Sequence, residues 1–139
     1  MCGIIGINSN RPVSSTIISS LKKLEYRGYD SAGIATLSNN EINEVKSEGR
    51  VDNLENNLLV QKMEGTIGIG HVRWATHGLP NSINAHPHSS QNVSVVHNGI
   101  IENSTLLKKF LVSKGHKFKS QTDTEAVSYT HLRAHETRT

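Results

Sequence analysis

At 139 residues, with 35% hydrophobic and 4% aromatic side chains, the chain is at most one domain with a thin supply of core, which points to a partner or to further sequence. The formal charge of +3 comes from basic residues interleaved with acids, and stacking aromatics are scarce, which argues against a nucleic-acid partner. No apolar run approaches the roughly 18 residues of a membrane span, no basic-then-apolar leader is visible, and a single cysteine leaves no intramolecular disulfide; a cytoplasmic location is expected.

Residues 2–7 read as a short buried strand. Pro12 suits a first helical turn, and Val13, Ile17, Leu21 and Leu24 give an apolar stripe, so a helix is expected from about 12 to 25. Strands are expected over 32–37 and 42–46, around the turn Ser38-Asn39-Asn40-Glu41. Asp52 is the expected N-cap of a second amphipathic helix carrying Leu54, Leu58 and Leu59. Further strands follow at 66–73 and 93–97. Asn103 is then expected to cap a third helix in which Leu106, Leu107, Phe110 and Leu111 share a face, with Gly115 as its stop. Lys108, Lys109, Lys114, Lys117 and Lys119 fit the solvated side of that helix and its exit. There is no repeat and no low-complexity linker, and the pattern is a mixed, antiparallel-leaning α and β one.

Polar chemistry sits in the connections, where rigid elements can present reactive groups. Cys2 follows Met1, so removing the methionine would give one residue a thiol and a free amine. A free thiol titrates near pH 8.5 and an α-amine at about 7.7–8.0, so the amine can serve as the base the thiol needs. An early cysteine is also compatible with chance. Asn98-Gly99 is an ordinary hairpin cue, yet beside a thiolate its amide and N–H can form an oxyanion hole. Arg73 and Asp123 read as surface ions, and Trp74 as a core or interface aromatic, when each is taken alone. His71, His77, His86, His88 and His97 lack recognisable ligand spacing, so hydrogen-bonding histidines are preferred over a metal site.

The segments MCGIIGI, LEYRGYDSAGIA, GIGHVRWATHG, NAHPH, VVHNGIIEN and TDTE, in this order, are together similar to the glutaminase domain of the class II glutamine amidotransferases. Those belong to the N-terminal nucleophile hydrolases. Residues 26–33 and 73–78 favour the branch that converts fructose 6-phosphate and glutamine to glucosamine 6-phosphate and glutamate, over the amidophosphoribosyltransferase and asparagine synthetase types. The resemblance implies an α+β fold, a four-layer αββα sandwich, incomplete here because the chain is truncated. It makes Cys2 the nucleophile, with its own amine as base, and Asn98 and Gly99 the oxyanion donors. Arg73 would pair with the α-carboxylate of L-glutamine and Asp123 with its α-amine. Thr76 and His77 would line the pocket, Trp74 would gate it, and Arg27 and Gly28 would lie beside the nucleophile. No cofactor and no metal are implied. The parent is expected as a homodimer that meets fructose 6-phosphate through an isomerase domain missing here.

A partial amidotransferase domain is therefore expected over 1–127. Residues 128–139 lose both the apolar periodicity and the family pattern, and read as a translated adaptor or as a divergent natural tail. The competing reading of the whole chain is a non-catalytic fragment that associates through an exposed sheet edge.

Overall fold

Strand β4 (Ile67–Arg73) lies between β1 (Gly3–Asn8) and β2 (Ser31–Ser38), antiparallel to both, and β3 (Glu41–Glu48) completes the sheet in the order β1-β4-β2-β3. The structure is a computed structural model that describes residues 2–75 and 79–136. The turn between β2 and β3 has Asn39 at φ 52° and Asn40 at φ 63°, the left-handed geometry that tight hairpins need and asparagine tolerates. It fixes the register, with Ser38 facing Glu41 and Ile34 facing Val45.

Register sorts the side chains by face. Ile5, Ile34, Val45 and Val72 lie on cross-strand partners or alternate positions of one face, and helix α1 (Ser14–Leu24) covers it. Val13, Ile17, Ile18 and Leu21 meet Ala32, Ile34, Val45 and Val72 in a single core cluster. Ile17 and Leu21 are wholly buried, each contributing about 1.5–3 kcal/mol relative to exposure. The opposite face carries Gly33, Glu44, Lys46, His71 and Arg73. A two-stranded sheet, β5 (His88–Ser90) and β6 (Val93–Val95), lies there. Lys46 Nζ reaches His88 Nδ1 at 3.5 Å, and Ser89 Oγ donates to the Glu44 carboxylate. Helix α5 (Thr124–Glu136) packs on the small sheet and α4 (Ser104–Ser113) packs on α5. The layer order is thus α, β, β, α.

Gly33 permits the two sheets to approach. A Cβ there would stand 1.9 Å from the carbonyl oxygen of His86, so only glycine lets the His86-Pro87 segment lie against β2.

Several sequence expectations change. Asp52 is not an N-cap: α2 (Val51–Glu55) starts after Arg50, and the Val51 N–H is met by Glu25 Oε1 at 2.8 Å. The expected second helix is two short ones, because Asn57 starts α3 (Leu58–Gln61) by accepting from Leu59 N–H. Leu54 is buried, whereas Leu59 faces outward. Asn103 holds the N-cap position of α4 without a side-chain bond, and of its expected apolar face only Leu111 is buried, Leu106 being 71% exposed. Gly115 does end that helix, at φ 94°. Strand β6 stops at Val95, and β5 had no counterpart in the sequence reading. Helix α5 runs across 127/128 without a break, with Ser128 Oγ donating to the Glu125 carbonyl. Among the described residues, no helix is long and apolar enough to cross a membrane.

Candidate active site

Pairing of β1 with β4 places Gly3 opposite Val72, so Cys2, one residue earlier, arrives at the end of β4 where Arg73 and Trp74 leave the sheet. The sulfur accepts a hydrogen bond from the Trp74 N–H at 3.3 Å and lies 3.6 Å from the Trp74 carbonyl. Gly28 makes room for this junction: a Cβ would come within 2.5 Å of the Arg73 carbonyl group. Arg27 follows the same helical turn, its guanidinium 5.7 Å from the Tyr26 ring, and its side chain runs beside Gly3.

Cys2, Arg73, Trp74, Gly99 and Asp123 line one cleft, together with His86, His97, Thr122 and Thr124. Arg73 is 3% exposed and donates to the Leu79 carbonyl at 2.9 Å. Burial lowers its pKa, and the neighbouring Asp30, Cys2 and Asp123 oppose that. Asp123 Oδ2 accepts from Ile101 N–H at 2.7 Å and Oδ1 from the Thr124 hydroxyl at 3.4 Å, which aims the half-buried carboxylate. Asp30 in turn accepts from the Ala75 N–H, fixing the chain beyond Trp74. The Trp74 indole is half exposed and meets Tyr29 edge-on at 6.2 Å.

Asn98 donates from Nδ2 to the carbonyl oxygen of Cys2 at 3.0 Å. An amide nitrogen carries two protons, so this bond leaves one N–H for a second acceptor. The His97 ring folds over Gly99 and its Nδ1 lies 3.3 Å from Thr124 Oγ1. Nine residues from five separate stretches of chain thus converge, including every expected site residue except Arg27 and Gly28, which buttress the junction, Asn98, which touches the Cys2 backbone, and Thr76 and His77, which lie outside the described residues.

His86, His97, Thr122 and Thr124 were not singled out as site residues from sequence. The signal lay in their adjacency to Asn98 and Asp123 and in the density of histidines. His71, His86 and His88 are buried, with His71 and His86 stacked at 4.1 Å and His86 edge-on to His88 at 4.7 Å. Burial pushes His71 down to about 4 and His88 to about 3, and drives His86 strongly downward, so all three are neutral at pH 7. Among the described residues, no three His, Cys, Asp or Glu side chains are grouped to hold a metal ion.

The family described as glutamine amidotransferase domain matches residues 55–136. The chain is 55% identical to the glutamine–fructose-6-phosphate aminotransferase (isomerizing) of Mesorhizobium japonicum, over 93% of this chain and 21% of that protein. It is 56% identical to the enzyme of that name from Clostridium acetobutylicum, over 91% and 21%. The chain therefore spans about a fifth of the length of these curated relatives. Its fold matches the glutamine phosphoribosylpyrophosphate amidotransferase from B. subtilis complexed with ADP and GMP, at TM-score 0.75 and 28% identity over 92% of this chain and 28% of that one. It also matches a structure described as the allosteric regulatory enzyme of purine biosynthesis, at TM-score 0.79 and 30% identity, over 93% and 29%.

Proposed function

The chain belongs to the glutamine amidotransferase domain family, and from that premise we propose that its cleft hydrolyses the side-chain amide of glutamine with Cys2 as nucleophile. The observation that carries this reading is the sharing of one cleft by the only thiol, a buried guanidinium and a carboxylate. A zwitterionic amino acid needs one cation and one anion at fixed separation, and guanidinium grips a carboxylate bidentately. Arg73 takes the α-carboxylate of glutamine and Asp123 its α-amine. The amide carbonyl then lies toward Cys2.

Loss of Met1 frees the Cys2 nitrogen, which accepts the thiol proton. The sulfur attacks the amide carbon, and the carbonyl electron pair moves to oxygen, where the second N–H of Asn98 and the main-chain N–H of Gly99 meet it. Collapse of the tetrahedral centre breaks the C–N bond, and the ammonium proton is delivered to the leaving nitrogen, giving ammonia and a γ-glutamyl thioester. Water then cleaves the thioester to glutamate and restores the thiol. By the family resemblance, Thr76 and His77 would line the pocket and Trp74 would gate it.

The identity of 55–56% to the sugar-phosphate enzymes, against 28–30% to the solved purine-pathway structures, supports the branch in which this ammonia aminates fructose 6-phosphate. That step, the homodimer and the cytoplasmic location belong to a longer parent, and residues 128–139 are kept out of the catalytic reading. A non-catalytic role is favoured by one observation, the outward-facing Ile100, Leu106, Phe110 and Val112, which suit docking against other sequence. The deciding experiment is labelling of Cys2 by a glutamine-mimicking electrophile in the chain freed of Met1. Stoichiometric, glutamine-protectable labelling supports the glutaminase; labelling no faster than free cysteine leaves the docking fragment.

A further inference from the structure

The main chain of His97 is gripped on both sides by histidine side chains. His71 Nε2 lies 3.2 Å from the His97 carbonyl oxygen, and the His97 N–H points at His86 Nδ1 at 3.4 Å. A carbonyl only accepts, so Nε2 of His71 carries a proton; an amide N–H only donates, so Nδ1 of His86 carries none. Both rings are buried, lie parallel within 12°, and stack. His71 Nδ1 is buried without a partner, as expected for a neutral ring whose one proton is committed on the other nitrogen. The next two residues are Asn98 and Gly99.

Resting on the glutaminase reading above, we propose that His71 and His86 act as positioning residues, a tautomer-locked clamp on His97 that aims the Asn98 amide and the Gly99 N–H at the Cys2 end of the cleft. Neither ring supplies a proton to the reaction. His71 stands on the rigid central strand, and His86 is pinned on Gly33, so the clamp connects the sheet's register to the oxyanion corner. The titratable groups facing the two rings are His88, Lys46, Arg73 and His97; the cations among them, Arg73 beside both rings and Lys46 beside His86, disfavour a further proton. A histidine pair needed only for volume would carry no constraint on tautomer. A clamp requires Nε2–H in both.

The test joins kinetics with nuclear magnetic resonance on the 139-residue chain freed of Met1. His71→Leu and His86→Leu fill space without hydrogen bonding, whereas His71→Gln retains a terminal donor and His86→Asn retains an acceptor at the Nδ1 position. Displacing the corner is expected to lower kcat for glutamine hydrolysis about tenfold or more in the leucine variants. KM and the rate of Cys2 alkylation by iodoacetamide should stay unchanged, and Gln and Asn should restore most of the loss. Equal activity in the leucine and amide variants overturns the clamp. Imidazole 15N shifts of the unsubstituted chain give the second readout: Nε2–H neutral rings at 71 and 86 throughout about pH 5–8 support it, and an Nδ1–H or charged His86 overturns it. This second readout needs no turnover, so a chain that releases no ammonia defeats the glutaminase reading while the clamp is still decided.

Discussion

The N–H of Trp74 donates to the sulfur of Cys2 at 3.3 Å, bridging 72 positions of sequence. Antiparallel pairing of β1 and β4 creates this meeting, because it brings the start of one strand to the end of the other. The sulfur is thereby fixed at the mouth of the cleft while remaining partly accessible.

Replacing this sulfur tests the chemistry. Cys2→Ala is expected to abolish ammonia release while leaving the circular dichroism spectrum and thermal midpoint nearly unchanged, since the side chain contributes no core contact. A chain that keeps Met1, checked by mass spectrometry, should be equally inactive, because its residue-2 nitrogen is an amide and cannot take a proton. Turnover by either form contradicts the mechanism.

Arg73→Lys keeps the charge but loses the planar fork. The KM for glutamine should rise by about tenfold or more, since a charge-assisted bidentate pair is replaced by a point contact. A glutamine analogue lacking the α-carboxylate should be hydrolysed equally by both proteins. A uniform loss toward both substrates would instead mean that Arg73, which also donates to the Leu79 carbonyl, is there to hold the loop.

Gly33→Ala should be severe for a reason visible only in three dimensions. The added carbon would sit 1.9 Å from the His86 oxygen and 2.9 Å from its carbonyl carbon, both backbone atoms that cannot swing aside. Overpacking of this kind costs on the order of 3 kcal/mol or more. Urea unfolding should show it, and glutamine turnover should fall as the His86 segment is displaced. A near-neutral midpoint would show that the two sheets can separate at no cost.

Acid should loosen the fold through the buried histidines. His71 and His88 are depressed from 6.5 to about 4 and about 3, so the unfolded chain binds protons that the folded chain refuses. Their stabilising effect is complete above pH 6.5 and is lost as pH falls through the window down to those folded values. Each contributes a slope approaching 1.4 kcal/mol per pH unit, about 2 kcal/mol between pH 6.5 and 5. His86, driven down further still, adds a similar share, so urea midpoints at pH 7.5 and pH 5 should differ accordingly, and His88→Gln should remove about a third of the difference. Identical midpoints would mean that the rings are charged in the fold.

Local sequence determined the elements whose causes are local. The alternation of β1, β2 and β4, the 3–4 spacing of α1, the Asn39-Asn40 turn and the Gly115 stop all follow from side-chain period and backbone permissiveness within a few residues. The order of the segments around Cys2, Arg73, Asn98 and Asp123 was enough to name the family as well. What the tertiary structure alone decided depends on which strands pair and what covers them. Register brought Cys2 to Arg73 and put His71 beneath His86; the uncovered side of α4 left Leu106 and Phe110 outside although their spacing was helical; and Asn57 broke one expected helix into two by meeting a nearby N–H. Periodicity specifies that a face is apolar, but only the packed neighbours determine whether that face is buried. The histidine clamp is the sharpest instance, because its tautomers are dictated by a main-chain N–H and carbonyl that reach it only after folding.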